Sequence, residues 1–252
     1  MLHRTKDFKD YPLKAKDGEI GKVKEFYFDD QNWIVRYLVV DTGTWLTGKR
    51  VLISPYAVAG EIRDAIPVNL TKQQVQESPF PESDLPVSRQ FEMKYYAYYG
   101  WPMYWQGPYI WGAASEPYHG PIEPVDTPAQ EQGDPHLRSM QDVTNYRIQA
   151  QDGEIGHVED FIIDDHNWSV RYLLVDTRNW WPGKHVLIPP SWASSISWHE
   201  SKVFVDLNRQ TIKDAPEFDA RISLARGYEE KLYRYYNRKA YWSEDENLGA
   251  GR

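Results

Sequence analysis

The chain contains one sequence written twice, and this duplication constrains its fold more than any other feature. When the sequence is shifted by 135 residues against itself, 25 of the 39 positions from 17 to 55 are identical in 152–190. With two residues inserted in the second copy, the match reaches Tyr104-Trp105 and Tyr241-Trp242. Because a unit of about 100 residues is far longer than a solenoid repeat, each copy is expected to be a domain with its own core.

The composition predicts a folded chain and excludes several kinds of site. Of the 252 residues 41% are hydrophobic, which together with 16 glycines is ordinary for a globular protein. No cysteine is present, so disulfides, thiolate metal sites and thiol nucleophiles are excluded. A net charge of −8 argues against a nucleic-acid partner. No run of 18 uncharged apolar residues occurs, and we therefore expect a soluble, cytoplasmic protein that does not span a membrane.

Alternating apolar and polar residues predict short strands in the first two-thirds of each copy. In the first copy the strands are predicted at 11–15, 23–28, 33–40, 51–53 and 66–70. Thr71 with Gln74 three residues later has the spacing of a capping box, which predicts a short helix. Short strands at this spacing favour a small closed barrel, because closure removes exposed sheet edges.

Four motifs occur in both copies, and they carry a resemblance to a known family. In the first copy they are Asp-Gly-Glu-Ile-Gly-x-Val from Asp17, Asp-Asp-x-Asn-Trp from Asp29, Val-Arg-Tyr-Leu-x-Val-Asp-Thr from Val35 and Gly-Lys-x-Val-Leu-Ile-x-Pro from Gly48. Over residues 8–79 and 143–216 the chain resembles the PRC-barrel family, the fold of the reaction-centre H subunit's cytoplasmic domain and of the C-terminal domain of the ribosome maturation factor RimM. The resemblance implies a protein-contacting module rather than an enzyme, with no catalytic residues to carry over.

The predicted architecture is mainly β, with two tandem small PRC-type barrels that are each followed by short helices. The predicted domains are barrel 1 at 1–79, an aromatic helical extension at 80–112, a Pro-rich linker at 113–140, barrel 2 at 141–216, and a second aromatic extension and tail at 217–252. Fusion of an ancestral dimer would relate the two barrels by a pseudo-two-fold axis.

Two loop motifs resemble known functional sites only weakly. Gly43-x-x-x-x-Gly48-Lys49 superficially matches a phosphate-binding loop, but Arg50 replaces the expected Ser or Thr and a strand follows, which favours a hairpin loop. The acidic turns with Asp29, Asp30, Asp164 and Asp165 offer too few oxygen ligands for a hard cation, which favours a solvated turn.

The histidines do not recur between the copies, although an inherited metal or acid-base site would keep its imidazole. His157, His166 and His185 face Lys22, Gln31 and Arg50. We therefore expect exposed polar positions there, and no metal site, cofactor site or catalytic residue is assigned.

Arg36 and Arg171 lie within otherwise apolar strands, where an unpaired guanidinium is costly to bury. Asp41 and Asp176, or the acidic turns, are the natural partners. A structural ion pair is favoured over a ligand clamp.

Aromatic residues follow each barrel at the spacing of one helical face. These residues are Phe91, Tyr95, Tyr98 and Tyr99 in the first copy, and Tyr228, Leu232, Tyr235 and Tyr236 in the second. This face either docks on the protein's own barrels or binds a second chain. The candidate interaction surface comprises Phe91, Tyr95, Tyr98, Tyr99, Trp101, Tyr104, Trp105, Tyr228, Tyr235, Tyr236, Tyr241 and Trp242, and in the first copy Tyr109 and Trp111 extend it.

Three functional hypotheses follow from this sequence. The first is a non-enzymatic module for protein interaction or assembly, with another protein or a second copy as partner. The second is binding of a small ligand or cofactor between the barrels, or a role associated with photosynthetic electron transfer by fold analogy. An enzyme is the third, and the absence of a shared catalytic constellation disfavours it.

Overall fold

The computed structural model describes residues 1–46, 48–80, 87, 89–117, 136–178, 183–219 and 224–243. This part of the chain is mainly β, with two separate sheets. It divides into two compact units. The first comprises residue 1, His3–Val143 and Phe161–Arg171, and the second comprises residue 2, Thr144–Asp160 and Tyr172–Arg252.

The first sheet has six strands. They are β2 (Pro12–Ala15), β3 (Gly18–Asp29), β4 (Ile34–Asp41), β5 (Arg50–Ile53), β6 (Ile66–Pro67) and β7 (Leu137–Ser139). The hydrogen-bonded order is β5-β4-β3-β2-β6, and β7 pairs with β3. The β2–β6 pair is parallel, whereas β3 pairs with β2, β4 and β7 in antiparallel fashion. The five strands predicted for the first copy are thus confirmed, with β6 shorter than expected.

The second sheet repeats this order and adds one strand, β12, beside β13. It contains β1 (Leu2–Arg4), β8 (Arg147–Ala150), β9 (Gly153–Asp164), β10 (Val170–Asp176), β11 (His185–Ile188), β12 (Ala193–Ser197) and β13 (Lys202–Val205). Its order is β11-β10-β9-β8-β13-β12, and β1 pairs with β9. Since β13 pairs with β8 in parallel, as β6 does with β2, duplicated strands have duplicated neighbours.

Strand β4 forms the centre of the first core. All seven positions from Ile34 to Val40 are buried, so apolar residues occupy both faces of this strand. Tyr37 on this strand packs edge-on against Tyr95, with ring centroids 5.6 Å apart. The aromatic extension therefore covers one face of the sheet.

Five α-helices lie in the described residues: α1 (Lys72–Glu77), α2 (Arg89–Tyr99), α3 (Met140–Val143), α4 (Arg209–Asp214) and α5 (Arg226–Tyr236). The predicted capping box is confirmed, because the Thr71 hydroxyl accepts from Gln74 N and the Gln74 side chain accepts from Thr71 N. Among the described helices, none has the length and apolar character needed to cross a bilayer.

The division between units differs from the predicted boundary at 140/141. Strand β7 and helix α3 belong to the first unit because Ser139 pairs with Tyr27, while Leu137 and Met140 are buried. The hairpin at Phe161–Arg171 belongs to the first unit as well. Residues 118–135 of the predicted linker and 244–252 of the predicted tail lie outside the described residues.

Candidate functional site

A buried glutamate anchors the aromatic extension to the first sheet. Glu92 on α2 is 0% exposed, and its Oε1 accepts hydrogen bonds from the hydroxyls of Tyr37 at 2.8 Å and Tyr104 at 3.0 Å. Arg89 Nη1 lies 3.0 Å from Oε2 and compensates the charge. This carboxylate cluster joins β4, α2 and the segment after α2, and its two hydroxyl donors and its cation offset the cost of burying the charge.

The second unit contains the same carboxylate cluster. Glu229 on α5 accepts hydrogen bonds from Tyr172 at 2.7 Å and Tyr241 at 3.0 Å, and Arg226 Nη1 lies 3.2 Å from it. Burial raises the pKa of Tyr172, so its hydroxyl stays protonated and can donate. Since all four positions match between the copies, the cluster belongs to the duplicated structure.

An arginine stacks on a tryptophan beside each cluster. The guanidinium carbon of Arg89 lies 4.0 Å from the Trp105 ring centroid, and Arg226 lies 4.0 Å from Trp242. Such contacts between a cation and an aromatic face add to the carboxylate pairing. The end of each extension is therefore fixed by charge as well as by packing.

The predicted interaction surface is partly used inside the units. Tyr95, Tyr104 and Tyr236 are buried, whereas Tyr98 and Tyr235 are 40% and 39% exposed. The remaining members are half-buried, namely Phe91, Tyr99, Trp101, Trp105, Tyr228, Tyr241 and Trp242. The buried rings contribute to intramolecular packing, and a role of the exposed members in binding stays a prediction.

The buried helical face also differs from the predicted one. In α2 it consists of Glu92, Tyr95 and Tyr96, and Tyr98 lies outside it. The sequence pattern did not place Tyr96 and its counterpart Tyr233 on the buried face. A glutamate lies on the same face of each helix, which makes that face look less hydrophobic. The aligned Glu and Arg of the two copies were the signal in the sequence that could have corrected this face.

A cleft of about 320 Å³ opens in the first unit, between the turn after β3 and the segment after α2. Its lining residues are Asp29, Gln31, Asn32, Arg36, Arg89, Tyr104, Trp105, Gly107, Pro108, Tyr109, Ile110 and His136. Cationic, aromatic and amide groups therefore converge on one concave site.

Arg36 forms the floor of this cleft and is 1% exposed. Its Nη2 donates to Asp29 Oδ2 at 3.0 Å and its Nη1 to the Ile110 carbonyl at 2.6 Å. The Tyr104 ring covers the guanidinium at 3.8 Å. The Nε atom is buried and has no hydrogen-bond acceptor among the described residues.

Asp29 is ionised in this pair. Its burial raises the pKa of the carboxyl, but the charge of Arg36 and hydrogen bonds from Asn32 and Arg36 outweigh burial and hold the pKa below its ordinary value. Of the two partners expected for Arg36, Asp41 or the acidic turn, the structure shows the turn, through Asp29. The expectation of a solvated turn is wrong for Asp29, which is 5% exposed because it must meet a buried cation.

A glycine-dependent turn places Tyr109 at the edge of the cleft. Tyr109 and Gly112 exchange two backbone hydrogen bonds of 3.0 Å, and Tyr109 is 55% exposed. Gly112 has φ of +72°, and a Cβ there would meet the Gln106 carbonyl oxygen at 2.7 Å. The sequence that forms this turn does not recur in the second copy, where Ser-Glu-Asp-Glu follows Trp242.

A comparison of the sequence with protein-family models agrees with the two sheets and their duplicated clusters. The model of the PRC-barrel domain matches residues 4–75 and 139–211, which is more than half of the chain. The chain belongs to the PRC-barrel family. A search of curated proteins found no match.

The other predicted sites have structural roles in the PRC domains. Gly48 N donates to Gly43 O at 2.6 Å just before β5, so the phosphate-loop motif is the expected hairpin loop. In the second copy Arg171 pairs with Asp164 of the acidic turn at 2.9 Å, which is one of the two partners expected for it, the other being Asp176.

The histidines of the second copy differ from one another in exposure. His166 is 73% exposed, as expected. The expectation is wrong for His185, which is 23% exposed because it lies against Glu159 with 2.6 Å between Nε2 and Oε2. His157 is half-buried.

Proposed function

We propose that this tandem PRC protein is a non-enzymatic interaction module whose first-unit cleft receives a segment of a partner protein. The observation that carries the proposal is the residue content of the cleft. Trp105, Tyr109, Arg36 and Arg89 are of the three residue types that dominate binding hot spots, and here they share one concave site.

The cleft favours a segment that combines a hydrogen-bond acceptor with an apolar or aromatic side chain. Arg36 is neutralised by Asp29 and Arg89 by Glu92, so net charge contributes little to recognition. The side-chain amides of Gln31 and Asn32 line the cleft, and each NH₂ group has a second N–H that can donate to an acceptor. Trp105 and Tyr109 supply aromatic surface to the same cleft. A backbone carbonyl next to an aromatic side chain meets both requirements.

The ionisable groups of the cleft support binding rather than catalysis. His136 directs Nδ1 to Asp30 at 3.0 Å and Nε2 to the Gln31 amide at 2.9 Å, so both ring nitrogens are engaged. Asp29 and Arg36 are held by each other. A general acid or base needs a group within reach of substrate, and these pairs occupy the groups that could serve.

Binding of a small polar ligand is the second candidate. A volume of about 320 Å³ lies at the lower end of small-molecule sites. This candidate places the ligand within the first unit rather than between the barrels. A ligand that remains with the purified protein, and whose removal lowers the melting temperature, would favour it over a protein segment.

Site-specific photocrosslinking in native cells tests the proposal. A photoreactive phenylalanine analogue replaces Tyr109, and the matched control carries it at Tyr235, an exposed tyrosine of the second unit. We expect one defined crosslinked partner from position 109 and none of that partner from position 235. Equal products at both positions, or no product at 109, would contradict the proposal.

Barrel closure and the relation between the domains also belong to this proposal. We propose that each sheet closes into a barrel, that the barrels pair about a pseudo-two-fold axis, and that the protein acts in the cytoplasm. Small-angle scattering tests the pairing, since two independently tumbling domains would contradict it. Cell fractionation tests the location, and solution mass reports self-association.

A further inference from the structure

Three adjacent strands of the second unit bring a histidine and two carboxylates together. Glu159 lies on β9, Asp176 on β10 and His185 on β11, and their potential ligand atoms all lie within 4.8 Å of one another. Asp176 and His185 are direct partners in the β10–β11 register. The geometry of the sheet therefore fixes the cluster on regular structure, which holds ligands more firmly than a loop does.

The first copy has a different set of charges at the same positions. There the corresponding residues are Lys24, Asp41 and Arg50, two cations around one carboxylate. Lys24 Nζ lies 4.0 Å from Asp41 Oδ2. In the second copy the carboxylate is kept, while both cations are replaced by residue types that ligate metals. With their ion-pair partners included, the second cluster has two carboxylates and the cation Arg178, whereas the first has Asp41 and Asp10 beside Lys24 and Arg50. The second cluster is therefore the more favourable of the two for a cation.

We propose that Glu159, Asp176 and His185 bind a divalent transition-metal ion of the Zn²⁺ class. Imidazole and carboxylate are both zinc ligands, and an imidazole favours such ions over Mg²⁺ and Ca²⁺. In a tetrahedral site, ligand bonds of about 2.0–2.2 Å place the donors about 3.3–3.6 Å apart. The donor atoms of this cluster lie within 4.8 Å of one another, so side-chain movements of about 1 Å bring them to ligand distance.

The hydrogen bonds of Asp176 leave one of its oxygens able to coordinate an ion. Asp176 Oδ2 accepts from Arg178 Nε at 2.8 Å and Nη2 at 2.5 Å, and Oδ1 accepts from Arg178 N at 2.7 Å. These bonds orient the carboxylate and leave a lone pair of Oδ1 for the ion. His185 Nε2 is buried and makes no hydrogen bond among the described residues, although it faces Glu159.

Three protein ligands leave at least one position of the ion for water or an exogenous group. Because the ligands come from three neighbouring strands, a bound ion connects β9, β10 and β11. It is therefore expected to raise the melting temperature of the protein. This stabilisation distinguishes the site from loose surface binding through an isolated histidine.

The test is titration of the metal-free full-length protein with Zn²⁺ by calorimetry, together with thermal unfolding. The decisive variant is His185→Arg, which installs the first-copy residue and can pair with Glu159. The matched control is His166→Gln, which removes an exposed imidazole outside the cluster. Glu159→Gln is a second, nearly isosteric variant, and circular dichroism verifies that each variant folds.

We expect the wild type and H166Q to bind one Zn²⁺ at this site and to gain thermal stability. H185R and E159Q are expected to bind it at least tenfold more weakly and to lose the stabilisation. Co²⁺ in place of Zn²⁺ should give an absorption spectrum that requires His185. The proposal is overturned if the wild type binds no Zn²⁺, or if H185R binds it with unchanged stoichiometry and affinity.

Discussion

Tyr37 donates a hydrogen bond of 2.8 Å to Oε1 of Glu92, and both side chains are fully buried. Tyr172 and Glu229 form the same bond at 2.7 Å in the second unit. A strand residue and a helix residue far apart in sequence are thus joined through a charged acceptor. Because the acceptor is charged, the bond is stronger than one between neutral groups. Removing either partner leaves the other buried without this hydrogen bond, which lowers the free energy of unfolding.

Glu92→Gln is expected to destabilise the protein. The amide leaves Arg89 without its counter-ion. Its NH₂ group either faces that guanidinium or replaces the oxygen that accepts from Tyr37 and Tyr104. Breaking a buried ion pair costs about 3–5 kcal/mol, and we expect about 3 because Arg89 is 17% exposed. Urea unfolding followed by circular dichroism measures the loss. A decrease in the free energy of unfolding below about 0.5 kcal/mol would mean that the cluster contributes no more than a surface ion pair does.

Asp29→Asn is expected to make the free energy of unfolding depend less on pH under acidic conditions. The pKa of Asp29 is lowered in the folded protein, so its charged form contributes stability above its ordinary value of 3.8. That contribution is lost as the pH falls through the folded pKa. Urea midpoints between neutral pH and pH 3 measure the effect.

In this comparison the wild type should lose more stability on acidification than D29N. The variant should already be weaker at neutral pH, because Arg36 is then buried without a counter-ion. Parallel curves for the two proteins would mean that Asp29 and Arg36 are not coupled.

Much of the fold was predictable from the sequence because the duplication doubled every signal. Strand alternation predicted β2 to β6, and the Thr71 capping box was confirmed in detail. Arg36 in an apolar strand predicted an ion pair with Asp41 or with the acidic turn, and the pair forms with Asp29 of the turn.

The cleft was not predictable, because it depends on contacts between segments distant in sequence. Ile110 supplies a carbonyl to Arg36 across 74 residues, and His136 reaches Asp30 across 106. Nothing in the local pattern reports these contacts. The buried face of α2 was not predictable from the apolar pattern either. Glu92 is a charged residue, yet it is buried because tyrosine hydroxyls donate to it.

Gly112→Ala is expected to disrupt the turn that carries Tyr109. The new Cβ would meet the Gln106 carbonyl oxygen at 2.7 Å in addition to the strain of a φ of +72°. Gly100→Ala is the matched control, because Gly100 has φ of +69° but no atom within 4 Å of the added Cβ.

The control isolates the backbone cost, about 1–2 kcal/mol for a left-handed residue. The G112A variant should lose more stability than the G100A control, and it should also reduce crosslinking from position 109. Equal losses in the two variants, measured by thermal unfolding, would show that the turn tolerates the side chain.

The buried tyrosines are expected to resist ionisation while the protein is folded. Burial raises the pKa of Tyr37 and Tyr172 above the ordinary value of 10.0, and it raises the pKa of Tyr99 to about 12. Since these hydroxyls ionise more readily in the unfolded chain, stability should fall as the pH rises above 10. Ultraviolet difference absorbance would detect the phenolates, and ionisation of all tyrosines near pH 10 without unfolding would exclude this explanation.

The most direct test of the central claim is hydrogen–deuterium exchange in E92Q and E229Q. If each glutamate locks the aromatic extension onto its own sheet, E92Q should speed exchange in α2 (Arg89–Tyr99), and E229Q should do so in α5 (Arg226–Tyr236). Each variant should leave the other helix protected as in the wild type. Unchanged exchange in the helix of the mutated copy, or equal loss of protection in both helices from either variant, would contradict the claim.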